Sequence, residues 1–366
     1  MSEPTADLDV ASVPRIDLAP LIDGTGIDAV AQEIDTACRE VGFFTILNHG
    51  VDPALCARVA GLAREFFSRS ESEKSAVAMM HGGRAWRGWF PLHGELTSGA
   101  PDHKEGYYFG RELNADDPRV AAGLPLHGPN LWPAAPNALR PVLTEYLTAV
   151  ELTGYHLARA ISIGLGLGPD TLTEHWFRDP VVLLRLFRYP PATPAAPDHG
   201  VGEHTDYGFL TMLWQDQRGG LEVRTDAGWV SVAPDPNVFV CNIGDMLERL
   251  TSGRYRSTPH RVQSPADAGR ISIPFFFDPD WDAPIAALPL PDAAPPVRAP
   301  RWDDADVHAV DGTYGAYLLD KVTKVFPNLG AAVLDPTVIE DADDPPDQSA
   351  VAGQLGEAGE HGPAEL

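Results

Sequence analysis

Apolar positions recur along this chain with two different periods, and the change between them divides it. From Asp28 to Val41 the residues Val30, Ile34, Ala37 and Cys38 share one helical face, and Gly42 stops the helix. GFFTILNHGV follows as a strand of aromatic and β-branched residues closing on Asn48-His49-Gly50. Pro53 to Arg69 predicts a second helix with Leu55, Val59, Leu62 and Phe66 inward. His49 is expected to be a hydrogen-bonded turn residue rather than a ligand. Pro136 to Ile163 carries the longest helical pattern, from Leu139 through Tyr146, Val150 and Leu157 to Ile161, and is expected to pack across a sheet. From Val181 onward the period becomes that of strands separated by Pro- and Gly-rich turns. GLEVRTDAGWVSV predicts a hairpin turning at Asp226-Ala227-Gly228, VFVCNIGDML a further strand, and GAYLLDKVTKV a closing helix. Short strands at this spacing predict a jelly-roll barrel or sandwich. The expected class is α+β with a mainly β core, a double-stranded β-helix with flanking helices.

The predicted organisation is a loose terminus over 1–10, an N-terminal region over 11–135, a scaffold helix over 136–180, a jelly-roll core with its closing helix over 181–330, and a tail over 331–366. Within that tail, residues 340–366 hold eight of the acidic residues and no Lys or Arg, so of the net charge of −25 they carry −8 and the rest of the chain −17. A tail so acidic and so poor in aromatics is expected to be disordered. The charge argues against nucleic acid as a partner, and no apolar run is long enough to span a membrane. Three widely spaced cysteines without a Cys-x-x-Cys pair fit a reducing, cytoplasmic setting and exclude a disulfide framework. The chain is expected to be a monomer acting on a small molecule.

The candidate chemistry lies in GEHTDYGFLTML, where His204 and Asp206 stand two residues apart. On a strand such a pair shares one face. His260, in RYRSTPHRV, supplies a second imidazole 54 positions beyond Asp206. Two imidazoles and one carboxylate on one side of a metal form the facial triad of non-haem Fe(II) oxygenases, with positions left open. Ten residues past His260 comes Arg270-Ile271-Ser272, again two residues apart on a predicted strand. A guanidinium fork beside a hydroxyl suits a carboxylate, and Tyr189 upstream can complete that clamp. The run Gly164 to Gly168 lies at a helix end with no strand before it, so it is not a dinucleotide fingerprint. Asp245 is expected to cap a turn.

In this order, Tyr-Pro-Pro, His-x-Asp-Tyr-Gly, Asn-Ile-Gly-Asp-Met, Ser-Thr-x-His-Arg-Val and Arg-x-Ser-x-Pro-Phe-Phe, the chain resembles the Fe(II)/2-oxoglutarate-dependent oxygenase superfamily, nearest the branch that holds isopenicillin N synthase. The resemblance spans roughly residues 11 to 330. It implies Fe(II) on His204, Asp206 and His260, and 2-oxoglutarate on Arg270, Ser272 and Tyr189. O2 would be the oxidant, and succinate and CO2 the products. Where many plant members carry Asn, this chain carries Phe187. A carboxylate at Asp206 favours hydroxylation, desaturation or ring formation over halogenation. Two alternatives accompany this expectation: an isopenicillin N synthase-type oxidase that uses no 2-oxoglutarate, and a non-catalytic binding protein on the same scaffold. The Ala-, Pro-, Gly- and Asp-rich composition fits a high-GC bacterial gene and natural-product tailoring, antibiotic biosynthesis included. For substrate contacts the expectation falls on Arg84, Trp86 and Arg87, since arginine among aromatics suits an anionic or planar ligand. Phe275 and Phe277 join them. Both stand an odd number of steps from Ser272, which a regular strand turns to the other face, and Pro274 leaves open which of them points inward.

Overall fold

A computed structural model describes residues 13–192, 199–265, 269–291, 301–327 and 330. The 1–10 terminus, part of the proline loop before His199, residues 292–300 of the Ala- and Pro-rich stretch 283–300, and the 331–366 tail lie outside the described residues. Among the described residues the strands are β1 (Arg15–Asp17), β2 (Phe43–Leu47), β3 (Gly88–Phe90), β4 (Glu105–Gly110), β5 (Pro180–Tyr189), β6 (His199–His204), β7 (Leu210–Gln215), β8 (Leu221–Thr225), β9 (Gly228–Ser231), β10 (Phe239–Ile243), β11 (His260–Gln263) and β12 (Arg270–Asp280). They form an eight-stranded sheet ordered β1-β2-β10-β7-β12-β5-β4-β3 and a four-stranded sheet ordered β6-β11-β8-β9. The helices that matter below are α1 (Ile27–Glu40), α2 (Pro53–Phe67), α3 (Leu139–Gly164), α4 (Asp245–Leu250) and α5 (Tyr314–Val325).

Local chemistry explains these boundaries. Asp52 caps α2 by accepting from the Ala54 N–H at 2.8 Å, with Pro53 at the first helical position, where its missing N–H costs nothing. Gly42 ends α1 at φ +73, a conformation that side chains other than glycine rarely adopt. A Cβ there would also lie 2.1 Å from the Arg256 carbonyl. The long α3 packs its apolar stripe on α1, α2 and strands β7 and β12 of the large sheet. There Gly154 leaves room for the Phe277 ring, which a Cβ would approach to 2.7 Å. His49 is a turn residue whose Nδ1 accepts from the Val51 N–H at 3.2 Å, between Asn48 and Gly50 at positive φ.

The two sheets face each other as a double-stranded β-helix, and residue parity decides what lies between them. On β12, Arg270, Ser272, Pro274 and Phe276 face the space between the sheets, as do Arg185, Phe187 and Tyr189 on β5. Phe275 and Phe277 therefore face the other way, into the helix-covered core. Phe277 stacks on Phe177 at 4.9 Å and meets Tyr155 edge-on at 5.2 Å. Pro274 does not break the register: Ser272 to Phe277 pair without a shift against Gln215 to Leu210.

Candidate metal and cosubstrate site

His204 is the last residue of β6 and His260 the first of β11, and backbone pairing sets the two directly opposite each other. Their rings lie 4.2 Å apart between centroids. Asp206 is not on a strand, as its i, i+2 spacing from His204 predicts, but in the loop that leaves β6. That loop is pinned by backbone bonds to the start of α4: Asp245 N–H to Asp206 O at 2.8 Å and Met246 N–H to Gly208 O at 3.1 Å. Gly244 makes the approach possible, since a Cβ there would sit 2.2 Å from Gly208 O and 2.9 Å from Asp206 O. This is the physical content of Asn-Ile-Gly-Asp. Asp245 stands at the start of α4 and pairs with Arg301 at 3.1 Å.

Asp206 Oδ1 lies 4.0 Å from His204 Nε2 and 3.8 Å from His260 Nε2, and one donor atom from each residue lies within 4.8 Å of the others. Each histidine is oriented through its other nitrogen. His204 Nδ1 is 2.8 Å from Gly202 O and His260 Nδ1 is 3.2 Å from Thr258 O. A carbonyl only accepts, so both Nδ1 atoms carry the proton and both Nε2 lone pairs point forward. The other Asp206 oxygen accepts from Thr211 Oγ1 at 2.6 Å and from Asn242 Nδ2 at 2.7 Å. Burial, then the neighbouring His260, push the His204 imidazole down to about 3, so it is a neutral donor at physiological pH. Burial opposes the Asp206 charge, but the two imidazoles and the bonds from Asn242 and Thr211 outweigh it and hold that carboxylate below its usual range. Two imidazoles, one anionic oxygen and an open side suit a divalent transition metal.

Arg270 pairs across the strands with Tyr189, and its guanidinium lies 4.9 Å from that ring. It is 1% exposed. Its Nη2 donates to Gln215 Oε1 at 3.2 Å, while Nε and Nη1 have no partner among the described residues. Ser272 and Tyr189 line the same cavity of about 490 Å³. A buried guanidinium with donors left over beside a hydroxyl fits a dicarboxylate's far end.

The predicted substrate residues fall elsewhere. Arg84 is exposed, and neither it nor Trp86 or Arg87 lines this cavity. Arg87 is 3% exposed and donates to Arg111 O at 2.6 Å, Leu126 O at 3.2 Å, Asn130 Oδ1 at 3.4 Å and Gly128 O. It ties loops together. Phe275 and Phe277 are core residues on the far face. The cavity wall that the sequence did not reveal includes Glu95, Lys104, Arg185, Tyr207 and Phe276. Parity held a usable signal for two of them, because Phe276 follows Arg270 by an even number and Arg185 precedes Tyr189 by four. Nothing in the sequence marked Glu95, and although Thr211 lies in GEHTDYGFLTML and Asn242 opens Asn-Ile-Gly-Asp-Met, neither was given a role.

Fold and donor set together define a class: mononuclear metal enzymes built on a double-stranded β-helix. The comparisons make that narrower. Residues 13–135 match the family described as non-haem dioxygenase in morphine synthesis N-terminal, and residues 179–279 match the 2OG-Fe(II) oxygenase superfamily. The chain is similar to a probable iron/ascorbate oxidoreductase of Dictyostelium discoideum, at 41% identity over 334 residues, covering 83% of this chain and 91% of that protein. It is similar to a homoarginine-6-hydroxylase of Arabidopsis thaliana, at 34% identity over 297 residues, covering 77% and 89%. Its fold is similar to that of a full-length Neurospora crassa protein in complex with α-ketoglutarate and thymine, with a TM-score of 0.70, 26% identity, and coverage of 87% and 97%. The chain belongs to the 2OG-Fe(II) oxygenase superfamily. It is an Fe(II)- and 2-oxoglutarate-dependent oxidoreductase acting on a small molecule. Among the described residues no helix is long and apolar enough to cross a membrane.

Proposed function

We propose that His204, Asp206 and His260 hold the iron, and that Arg270, Ser272 and Tyr189 receive the far carboxylate of 2-oxoglutarate. The observation that carries this is the convergence of His204 Nε2, Asp206 Oδ1 and His260 Nε2 on one point, each fixed from behind by a hydrogen bond of its own. Bound iron and cosubstrate supply the oxidising power for an unactivated C–H bond. The chain's residues do the rest. Gly202 O and Thr258 O lock the ring tautomers. Thr211 and Asn242 keep Asp206 Oδ1 facing forward. Phe187 and Phe276 make the cavity wall apolar and keep water off the reacting position. The same cavity has to hold cosubstrate and substrate, so its volume of about 490 Å³ favours a substrate of a few rings or fewer over a peptide segment. The net charge of −25 argues against nucleic acid.

The test is oxygen uptake by the anaerobically reconstituted enzyme across a small-molecule panel, with succinate and CO2 measured alongside. One succinate per product, dependent on both Fe(II) and 2-oxoglutarate, is the expected result. Product formation without 2-oxoglutarate would overturn the cosubstrate assignment.

A further inference from the structure

Arg185 is the cavity's other buried arginine, at 8% exposure. Its guanidinium is held flat between two rings, 4.2 Å from the Tyr108 centroid and 4.5 Å from that of Phe276. A plane gripped on both faces cannot turn, so the direction of its edge is set in advance. Nη2 donates to Tyr207 Oη at 2.9 Å and Nη1 to Glu95 Oε1 at 3.4 Å, while Nε has no partner among the described residues. Five N–H donors are available, and the described residues satisfy two of them. Tyr207 directly follows Asp206, which brings this edge next to the metal loop.

Charge along the wall points the same way. Each acid there has a cation or a metal site of its own. Glu95 lies 2.8 Å from Lys104 Nζ, Glu203 pairs with Arg224, Asp245 and Asp303 pair with Arg301, and Asp206 faces the two histidines. Lys324 pairs with Asp320 at 2.7 Å. Among the described residues the ion pair of Arg185 is a shared, long contact to Glu95, and Lys321 of α5, which lines the cavity, has no ion pair and lies 5.3 Å from the Tyr317 ring. In a chain of net charge −25 the uncommitted charge in this cavity is positive.

We propose that Arg185 is the substrate anchor, and that the substrate is a small molecule bearing a carboxylate, which the guanidinium edge takes up between the Tyr108 and Phe276 rings. This deepens the oxygenase assignment and rests on it. Anchoring one end of the substrate there leaves its carbon chain to cross the apolar wall toward the metal triad.

The experiment uses the full chain with Fe(II), anaerobic, saturated with 2-oxoglutarate so that the Arg270 site is filled. The probes are 3-phenylpropanoate and its uncharged amide, 3-phenylpropanamide. Binding is read from the change each causes in the Fe(II)–2-oxoglutarate charge-transfer absorbance and, separately, from the thermal midpoint. The acid is expected to bind at least about tenfold tighter than the amide, since a hydrogen bond to a charged group outweighs one to a neutral group by roughly that factor. Arg185→Gln is expected to bring the two affinities together, and Arg185→Lys to restore only part of the preference. A variant that still forms the charge-transfer band is intact at the metal end. Equal affinity for acid and amide in the unmodified protein would overturn the proposal, as would a preference that survives Arg185→Gln. If the band never forms, the iron and cosubstrate assignment fails instead, and the thermal measurement still decides the role of Arg185.

Discussion

Arg87 and Arg270 are both buried and opposite in use. Arg87 spends its two terminal nitrogens on carbonyl oxygens of Arg111, Leu126 and Gly128 and on the Asn130 amide. Gly110 makes room for it, since a Cβ there would lie 2.6 Å from Arg87 Nη2. Burial pushes its pKa down to about 10, and the nearby Glu112 charge works against that shift. Arg270 has a single acceptor among the described residues, the Gln215 side chain, and two nitrogens with none. Burial alone therefore does not mark a functional arginine. The mark is donors left unspent in a wall that faces a cavity, because leaving them dry costs free energy that only a ligand recovers. Arg185 stands with Arg270 by this measure.

The largest expected effect concerns the centre that this wall serves. His204→Ala, Asp206→Ala and His260→Ala should each bring succinate formation below detection while the far-ultraviolet circular dichroism stays that of the folded chain. Measurable turnover in His260→Ala at limiting iron would remove that residue from the metal site.

Exchanging each arginine for lysine tests the comparison itself. Arg270→Lys keeps the charge and loses the fork. The dissociation constant for 2-oxoglutarate should rise about ten- to a hundredfold, the equivalent of ~1.5–3 kcal/mol. Arg87→Lys should leave that constant within about twofold and lower stability by ~1–3 kcal/mol through unsatisfied carbonyls, read as a drop of a few degrees in the calorimetric midpoint. The reverse pattern would break the distinction.

Asp278 supplies a test by pH. Burial, against the hydrogen bond from the Phe209 N–H, raises its carboxyl to about 7, above the 3.8 of an unperturbed side chain. Between those values the folded chain holds a proton that the unfolded chain has released. This contribution to stability is therefore present at low pH and is lost as pH rises through about 7. Its slope is at most ~1.4 kcal/mol per pH unit. Asp278→Asn should flatten the midpoint-against-pH curve over that range, and an unchanged curve would mean that the carboxyl is ionised when folded.

Smaller still is the contrast between neighbours on β12. Phe276→Leu should raise the substrate KM a few-fold by loosening one side of the Arg185 clamp. Phe277→Leu should leave KM alone and cost under ~1.5 kcal/mol of stability as a near-volume-conserving core change. Equal effects on KM would mean that the strand register is not the one described.

The alternation of apolar positions, the glycine and proline stops, and the pairs His204/Asp206 and Arg270/Ser272 were legible because each depends on neighbours along the chain. Period-two and period-3.6 patterns follow from local backbone geometry. So were the double-stranded β-helix and its flanking helices and, through resemblance, the oxygenase superfamily. What only the folded chain decided was the partners of each polar group. Arg84, Trp86 and Arg87 have the composition of a binding surface, yet Arg87 closes a loop cage and Arg84 faces solvent. Arg185 drew no reading from the sequence, yet β4 and β12 bring Tyr108 and Phe276 to its two faces. Thr211 and Asn242 acquire their hold on Asp206 because β7 and β10 lie side by side beneath the metal loop. Pairing between strands far apart in the chain sets these contacts, and a hydrogen bond depends on distances of tenths of an ångström that no spacing along one strand can encode.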